Sequence, residues 1–400
     1  MYFAWELQIP LITWFIIPYM SIDLFFVGAP FLCGDRERAV LAKRVTLGIL
    51  IAGLFFMAMP LRLGYGRQEP DGALGAIFAL LFSFDPPYGN LFPSLHITLR
   101  TILADVYARH TRGWLRAAVV VWFSLVGFST IFTHQHHLAD VAGGFVLAAF
   151  CLHYFREENA AGGAVPNVRV GHLYAAAAFV CAVAAIRLAP WGAFLIWPAA
   201  SFGTVAAGYY RYGGRVYGKV DGRIPLSSLV ALAPCILGQY LSLQYYRRQC
   251  NDWDEVVRGV FLGRALTNKG AARAIGNGVT AVLDVTAEFS ENAVFRAIKY
   301  HNLPVLDLTA PTQEQLIDGA TFIKEELRHG AVYVHCKIGY SRSSAFVAAY
   351  LIESGTAHSV PEAIALIRKK RPAAVVRKEI VDALEELYGN LNKACSVSCT

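Results

Sequence analysis

Up to about residue 210 the apolar residues come in long blocks with few charges; beyond about residue 252 they come in short periodic stretches. Seven blocks, at 11–33, 45–63, 91–108, 115–133, 138–155, 172–189 and 190–209, approach or exceed the roughly 20 residues that a helix needs to cross a bilayer. Residues 224–246 differ. Pro225 and Pro234 interrupt them and Ser227, Ser228, Gln239, Ser242 and Gln244 dilute them, while Leu226, Leu229, Val230, Ala233, Leu237, Tyr240 and Leu241 recur at helical spacing. That pattern predicts an interfacial amphipathic helix rather than an eighth span. From 252 onward the periodicity predicts strands at 256–262, 279–285, 303–306 and 331–335, and helices at 269–275, 313–329, 343–353, 360–370 and 377–388. The expected architecture is a multi-span α-helical membrane domain over 1–210, a basic linker over 211–251, a soluble α/β domain over 252–392 and a tail over 393–400.

Composition sharpens this division. The chain is 56% hydrophobic and only 16% charged, with a net charge of +7. Residues 251–400 carry 17 Lys+Arg and 17 Asp+Glu, so the positive excess lies in the first 250, among the apolar blocks. Such placement fits the cytoplasmic loops of a membrane protein and argues against a nucleic-acid partner. Basic loops at Arg36, Arg38, Lys43 and Arg44, at Arg109, Arg112 and Arg116, and at Arg156 and Arg169 are expected on the cytoplasmic side. The 62–93 and 134–140 connections then face outward. Seven spans put the C-terminal domain in the cytoplasm; eight put it outside. The eight cysteines form no CxxC pair, and Cys399 is misplaced for prenylation. Glu6 is the only charge before the first block, so a cleaved signal peptide is not expected.

The candidate chemistry is concentrated in Val334-His335-Cys336-Lys337-Ile338-Gly339-Tyr340-Ser341-Arg342-Ser343. A cysteine five residues short of an arginine, between a predicted strand and a predicted helix, makes a loop whose backbone N–H groups converge on one point. The helix dipole reinforces them. A phosphate fits such a nest, and Arg342 can grip two of its oxygens while the backbone of Lys337 through Ser341 supplies further donors. The same field favours a thiolate at Cys336. Asp307, on a Pro-bearing loop after a strand, is either a proton donor or a loop-capping carboxylate. Lys337 either adds charge for an anionic head group or is a solvated rim lysine. Arg368, Lys369, Lys370 and Arg371 either rest on anionic lipid or are simply solvated.

This signature resembles the dual-specificity branch of the protein-tyrosine-phosphatase superfamily over roughly residues 253–390, and within it the lipid-directed members. The resemblance implies a central sheet flanked by helices and a cysteinyl-phosphate intermediate on Cys336. It also implies Asp307 as general acid, and Ser343 as a hydrogen-bonding partner of the sulfur.

A second constellation lies in the apolar half. Phe92-Pro93-Ser94-Leu95-His96 opens one predicted span, and Ser129 through Gly144, with His134, His136, His137 and Asp140, leads into another from the same face. The two boxes resemble the type-2 phosphatidic acid phosphatase (PAP2) superfamily over about residues 10–210. The resemblance implies His136 as nucleophile, Asp140 as its orienting partner, His96 as acid, and Ser94, Arg62 and Arg67 as phosphate ligands; Arg100, one turn after His96 on the same helical face, is an intramembrane arginine that binds phosphate or pairs with another charge. Thr130 replaces the family's usual arginine, and its basic motif is reduced to Arg62, Arg67 and Pro70. A Pro-Ser-Leu-His box with a Ser-Thr pair is closer to the inositol-phosphotransferase-like branch. Neither site calls for a cofactor or a metal, since a metal site at His134, His136 and His137 would leave His96 without a role. Asp23, Asp105 and Arg187 lie within predicted spans and pair with one another or line a cavity.

Fusions of these two modules resemble bacterial inner-membrane phosphatases. The main expectation is a bifunctional multi-pass enzyme acting on phospholipid phosphates, its His site facing the periplasm and its cysteine domain the cytoplasm. Two alternatives stay open. One is a membrane-anchored phosphatase of phosphoproteins with a non-catalytic PAP2 anchor; the other is a head-group phosphotransferase at the His site.

Overall fold

The computed structural model describes residues 1–397 except Glu69, Pro86, Pro87, residues 158–162 and Ala164; for 390–397 it describes the backbone only, and Cys399 lies outside the described residues. The fold is an N-terminal helical region followed by an α/β domain. Among the described residues four helices are long and apolar enough to cross a membrane: α1 (Thr13–Leu32), α2 (Asp35–Ala58), α5 (Gly113–Phe132) and α7 (Val168–Arg187). Along the chain between and after them come the shorter α3 (Gly72–Phe84), α4 (Leu95–His110), α6 (Leu138–Tyr154) and α8 (Ile196–Ala207). Three of the seven expected spans are therefore shorter helices. The 17 residues of α6 reach only about 25 Å, and α4 carries Arg100 and Asp105 in its length. The 224–246 stretch forms two pieces, α9 (Leu226–Ala231) and α10 (Ala233–Tyr246), with Pro234 opening the second. The structure also adds α3, inside a stretch read as a connection.

Contacts divide the chain into two compact units. One comprises Met1–Glu157, Val183–Trp197 and Leu226–Ala231; the other comprises Glu158–Ala182, Pro198–Pro225 and Leu232–Thr400. The catalytic-type α/β fold thus shares a unit with helical segments that precede it.

In the first unit, α4 and α6 pack closely because the crossing is made of small residues. A Cβ on Gly144 would lie 2.6 Å from the Ser94 carbonyl, and one on Gly143 would lie 2.5 Å from the Phe92 ring. The Ser94 amide donates to Asp140 O at 3.0 Å, and Thr98 Oγ1 to Gly144 O at 3.1 Å. Asp105, on α4, pairs with Arg44 and Arg109, both at 3.1 Å.

In the second unit a five-stranded sheet runs β1 (Trp253–Val257), β2 (Val260–Arg264), β5 (Ala331–Cys336), β3 (Val279–Thr286), β4 (Lys299–Val305) in spatial order. Only β1 is antiparallel to its neighbour. The sequence predicts one strand over 256–262. The chain instead turns at Gly259, whose φ of +82° suits glycine, and makes a hairpin of β1 and β2. Helices α11 (Asn268–Gly276), α12 (Gln313–Glu326), α13 (Arg342–Glu353), α14 (Val360–Lys370) and α15 (Lys378–Val397) cover the faces. β5 is central and buried on both faces, which is why Val332, Tyr333 and Val334 read as a continuous apolar run. Helix α13 is apolar nearly all round for the same reason: Ala345, Phe346, Val347, Ala348 and Ala349 are fully buried. Burying Phe346 alone contributes roughly 1.5–3 kcal/mol. These two elements hold the loop between them at fixed ends.

Candidate active site

The loop in question runs from Cys336, the last residue of β5, to Arg342, the first of α13. Cys336 is almost fully buried, and its sulfur accepts from the Gly339 amide at 3.2 Å and faces Ser343 Oγ at 3.4 Å. Gly339 has φ +78°, and a Cβ there would lie 2.3 Å from Gly263 O on β2, so the turn admits only glycine. Arg371 fixes the outside of the loop. Its Nε donates to Gly339 O at 2.9 Å and its Nη2 to Ile338 O at 3.0 Å, while Nη1 pairs with Asp254 at 2.6 Å. Val375 N donates to Tyr340 O at 3.1 Å. With these carbonyls turned outward, the loop's N–H groups are left for the concave side. Ser341 Oγ is buried there without a partner among the described residues.

Arg342 is held as a planar fork. Its two terminal nitrogens meet the two oxygens of Glu288 at 2.8 and 2.6 Å, and Nη1 also donates to Val305 O at 2.8 Å. Asp307 Oδ1 lies 3.4 Å from Nη2, and Asp307 Oδ2 receives Lys337 Nζ at 2.6 Å. Lys337 is not a solvated rim lysine: it is 6% exposed and also donates to Gln239 Oε1 at 2.8 Å. Burial pushes the Cys336 thiol up, but Arg342 and the donors on Ser343 and Gly339 outweigh it, so the thiol sits below its ordinary value. Burial likewise opposes ionisation of Asp307, and the cations of Arg342 and Lys337 overcome it, holding the carboxylate charged.

Behind the sulfur lies a buried ionic group. His335 Nε2 is 2.8 Å from Glu291 and 3.9 Å from Asp284. Burial disfavours its imidazolium, yet Glu291 and Asp284 lift it to about 9. Asp284, Glu291 and His335 are metal-type ligands by kind. Both oxygens of Asp284 are already engaged, however: Oδ2 takes Lys219 Nζ at 2.5 Å and the Tyr300 hydroxyl at 2.7 Å, and Oδ1 takes Thr286 Oγ1 at 2.6 Å.

The His constellation is also assembled, though more loosely. His136 Nδ1 lies 3.8 Å from Asp140 Oδ2, too far for a hydrogen bond, and that oxygen accepts from the His137 amide at 2.9 Å. His96 lies near His136 and Arg100, and its ring stacks on Tyr19 at 4.2 Å. His96 Nε2, His136 Nδ1 and Asp140 Oδ1 are buried without partners among the described residues. His134 and His137 are used otherwise. His134 Nε2 meets Ile9 O at 2.9 Å, and His137 Nε2 accepts from the Gly64 amide at 3.0 Å. Ser94 caps α4 by accepting from Ile97 N at 3.3 Å. Arg100 donates to Phe123 O at 2.6 Å; Arg67 lies over the Phe82 ring at 4.3 Å, and Arg62 pairs through its backbone with Tyr88. Among the described residues no hydrogen bond joins Arg62 or Arg67 to either histidine.

Several residues of these sites escaped the sequence reading. Arg371 belongs to the loop rather than to a lipid-facing or solvated basic run. Glu288 and Glu291 were signalled only by two carboxylates just past an apolar strand. Lys219, Gln239 and Ser242 carried no signal, lying outside the α/β stretch. Glu6 is fully buried and accepts from the Leu138 amide at the start of α6, at 2.9 Å.

Comparison with known proteins gives this geometry its family. The dual specificity phosphatase catalytic domain matches residues 260–389. The human phosphatidylglycerophosphatase and protein-tyrosine phosphatase 1 is 32% identical over 173 residues, 43% of this chain and 78% of that protein. Mouse dual specificity protein phosphatase 14 is 28% identical over 143 residues, 34% of this chain and 70% of that one. A solved structure of PTPMT1 in complex with PI(5)P is 27% identical, covers 36% of this chain and 99% of its own, and superposes with a TM-score of 0.33. Through its C-terminal α/β domain, this chain belongs to the dual-specificity phosphatase family of cysteine-based phosphoric monoester hydrolases.

Proposed function

We propose that the chain is a membrane-bound phosphatase of phospholipid phosphate monoesters. The Cys336 thiolate attacks phosphorus and the ester P–O bond breaks. Asp307 gives its proton to the departing oxygen, then takes one from the water that cleaves the thiophosphate. A phosphate dianion would compete with Asp307 for Lys337 and Arg342, and release of those cations lets the carboxyl carry a proton. The observation that supports this most is the cradle itself: a sulfur held low by Arg342, with a carboxylate and two cations around it. The matching human protein is named for both a lipid and a protein activity, phosphatidylglycerophosphatase and protein-tyrosine phosphatase; lipid is favoured here because the unit that bears Cys336 includes part of α7, a helix apolar enough to span a bilayer.

The test uses the full chain in detergent. Phosphate release from phosphatidylglycerophosphate in mixed micelles is expected to exceed that from a phosphotyrosine peptide, and Cys336→Ser is expected to abolish the peptide turnover and to cut the lipid turnover sharply, any remainder being that of the His site. Undiminished turnover in Cys336→Ser would overturn the mechanism; preference for the peptide would overturn the substrate. The thiolate further requires a reducing side of the membrane. In intact cells Cys250 should therefore resist an impermeant maleimide, and ready labelling would reverse the orientation.

A second reading concerns the His site, where we infer a PAP2-like centre acting on lipid phosphate from the outer side. The unpartnered, buried atoms of His96, His136 and Asp140 favour it, since such atoms are costly unless a ligand meets them. Lipid phosphate turnover that survives Cys336→Ser and disappears on adding His136→Ala would support it. Product formation that needs an added alcohol would make the reaction a transfer, and no residual turnover would leave the helices an anchor.

A further inference from the structure

The loop that carries Asp307 is fastened by residues that lie outside the matched catalytic domain. Tyr209, in the turn after α8, donates its hydroxyl proton to Asp307 O at 3.0 Å. Asn167, just ahead of α7, donates from Nδ2 to Leu308 O at 2.6 Å. The two are tied to each other, because the Asn167 amide donates to Tyr209 O at 3.0 Å. All four residues belong to one compact unit. The dual specificity phosphatase catalytic domain is matched from residue 260, so neither donor lies within that matched stretch.

What these bonds hold is a strained conformation. Leu308 has φ +62°, a left-handed backbone that a branched, bulky side chain rarely adopts. Such a conformation persists only where its surroundings over-determine it. Consecutive carbonyls, at 307 and 308, are each taken by a donor from the helical segments. The result aims the Asp307 side chain at Lys337 and Arg342. Lys337 is fastened from the same side, by Gln239 Oε1 at 2.8 Å on α10.

We propose that Tyr209 and Asn167 are positioning residues of the phosphatase site, holding the Asp307 loop in its working conformation. The inference rests on the proposed role of Asp307 as general acid. It makes the helical segments at 167 and 209 part of the catalytic apparatus rather than a mere tether.

The experiment compares two small esters on the full chain in detergent, phenyl phosphate and p-nitrophenyl phosphate. Phenolate is the poorer leaving group and needs the acid's proton; p-nitrophenolate leaves with little help. Tyr209→Phe removes only the hydroxyl. Asn167→Ser keeps a short cap for the Val170 amide, which Asn167 Oδ1 now accepts at 3.3 Å, and loses the reach to Leu308. Each variant is expected to lose about tenfold more turnover on phenyl phosphate than on p-nitrophenyl phosphate, in the direction set by Asp307→Asn. Equal losses on the two esters, as a general loss of folding would give, overturn the proposal; so does no loss on either. Should Asp307→Asn itself show no leaving-group bias, the general-acid role fails and the clamp with it. Persistent turnover in Cys336→Ser would sink the cysteine mechanism separately.

Discussion

The two anion-handling constellations of this chain are built on opposite plans. The cysteine site draws its nucleophile, its cradle and its arginine from eight consecutive residues between a buried strand and a buried helix, and a partner holds nearly every polar group in it. The His site draws on the beginnings of α4 and α6, brought together by a crossing of small residues, and leaves buried atoms of His96, His136 and Asp140 without a hydrogen-bond partner among the described residues. A preorganised loop carries its field with it wherever the chain places it. A site shared between helices depends on how closely those helices pack.

The contrast can be broken first at Arg342. Arg342→Lys keeps the charge but loses the fork onto Glu288, and kcat/KM on p-nitrophenyl phosphate should fall by about 10³-fold. A loss below tenfold would mean that a point charge suffices and that the planar geometry is incidental.

Arg371 tests whether the loop's outer fastening matters as much as its inner face. Arg371→Ala leaves Asp254 unpaired and frees the Ile338 and Gly339 carbonyls, so denaturant unfolding of the α/β domain should show a loss of about 3 kcal/mol. An unchanged midpoint would show that the loop holds its shape unaided.

At the His site the comparable test is steric. Gly144→Ala would press a methyl against Ser94 O, costing about 1–3 kcal/mol of stability in the helical unit and parting His96 from Asp140. If the melting temperature and the residual activity of Cys336→Ser are both unaffected, the crossing is slack and the contrast overstated.

The smallest effects are titrations. Alkylation of Cys336 by iodoacetamide should have a midpoint below that of an ordinary thiol, and Ser343→Ala should move it upward. The His335 contribution runs the other way with pH. Its folded value is raised, so the stability it lends is whole below about 6.5 and disappears as pH climbs through about 9. His335→Gln should flatten unfolding free energy over that interval; an unaltered slope would mean that Glu291 and Asp284 do not hold its proton.

These differences also explain what could be read from the sequence. Cys336 to Ser343 was legible because the whole device is contiguous and its glycine, cysteine and arginine each have one reason to be there. The strand feeding it was equally plain, being apolar throughout. Asp307 could be placed on its loop, but not its engagement by Lys337, which depends on tertiary proximity. Arg371 was misread because a basic residue at a helix end looks alike whether it meets water or three carbonyl and carboxylate oxygens. The blocks read as spans at 91–108 and 138–155 fold as helices of 16 and 17 residues, and no periodicity marked where those helices end.

Lys219 has a practical corollary for anyone who would cut this protein apart. Its side chain is sealed in the sheet against Asp284 and the Thr286 carbonyl, though it comes from a stretch about forty residues ahead of the matched catalytic domain. A truncation beginning at 252 would strip that carboxylate of its counterion directly beside the nucleophile's strand. Fragments meant to report on the isolated hydrolase should therefore keep Lys219, and they must reach back beyond Asn167 if the Asp307 loop is to stay fastened.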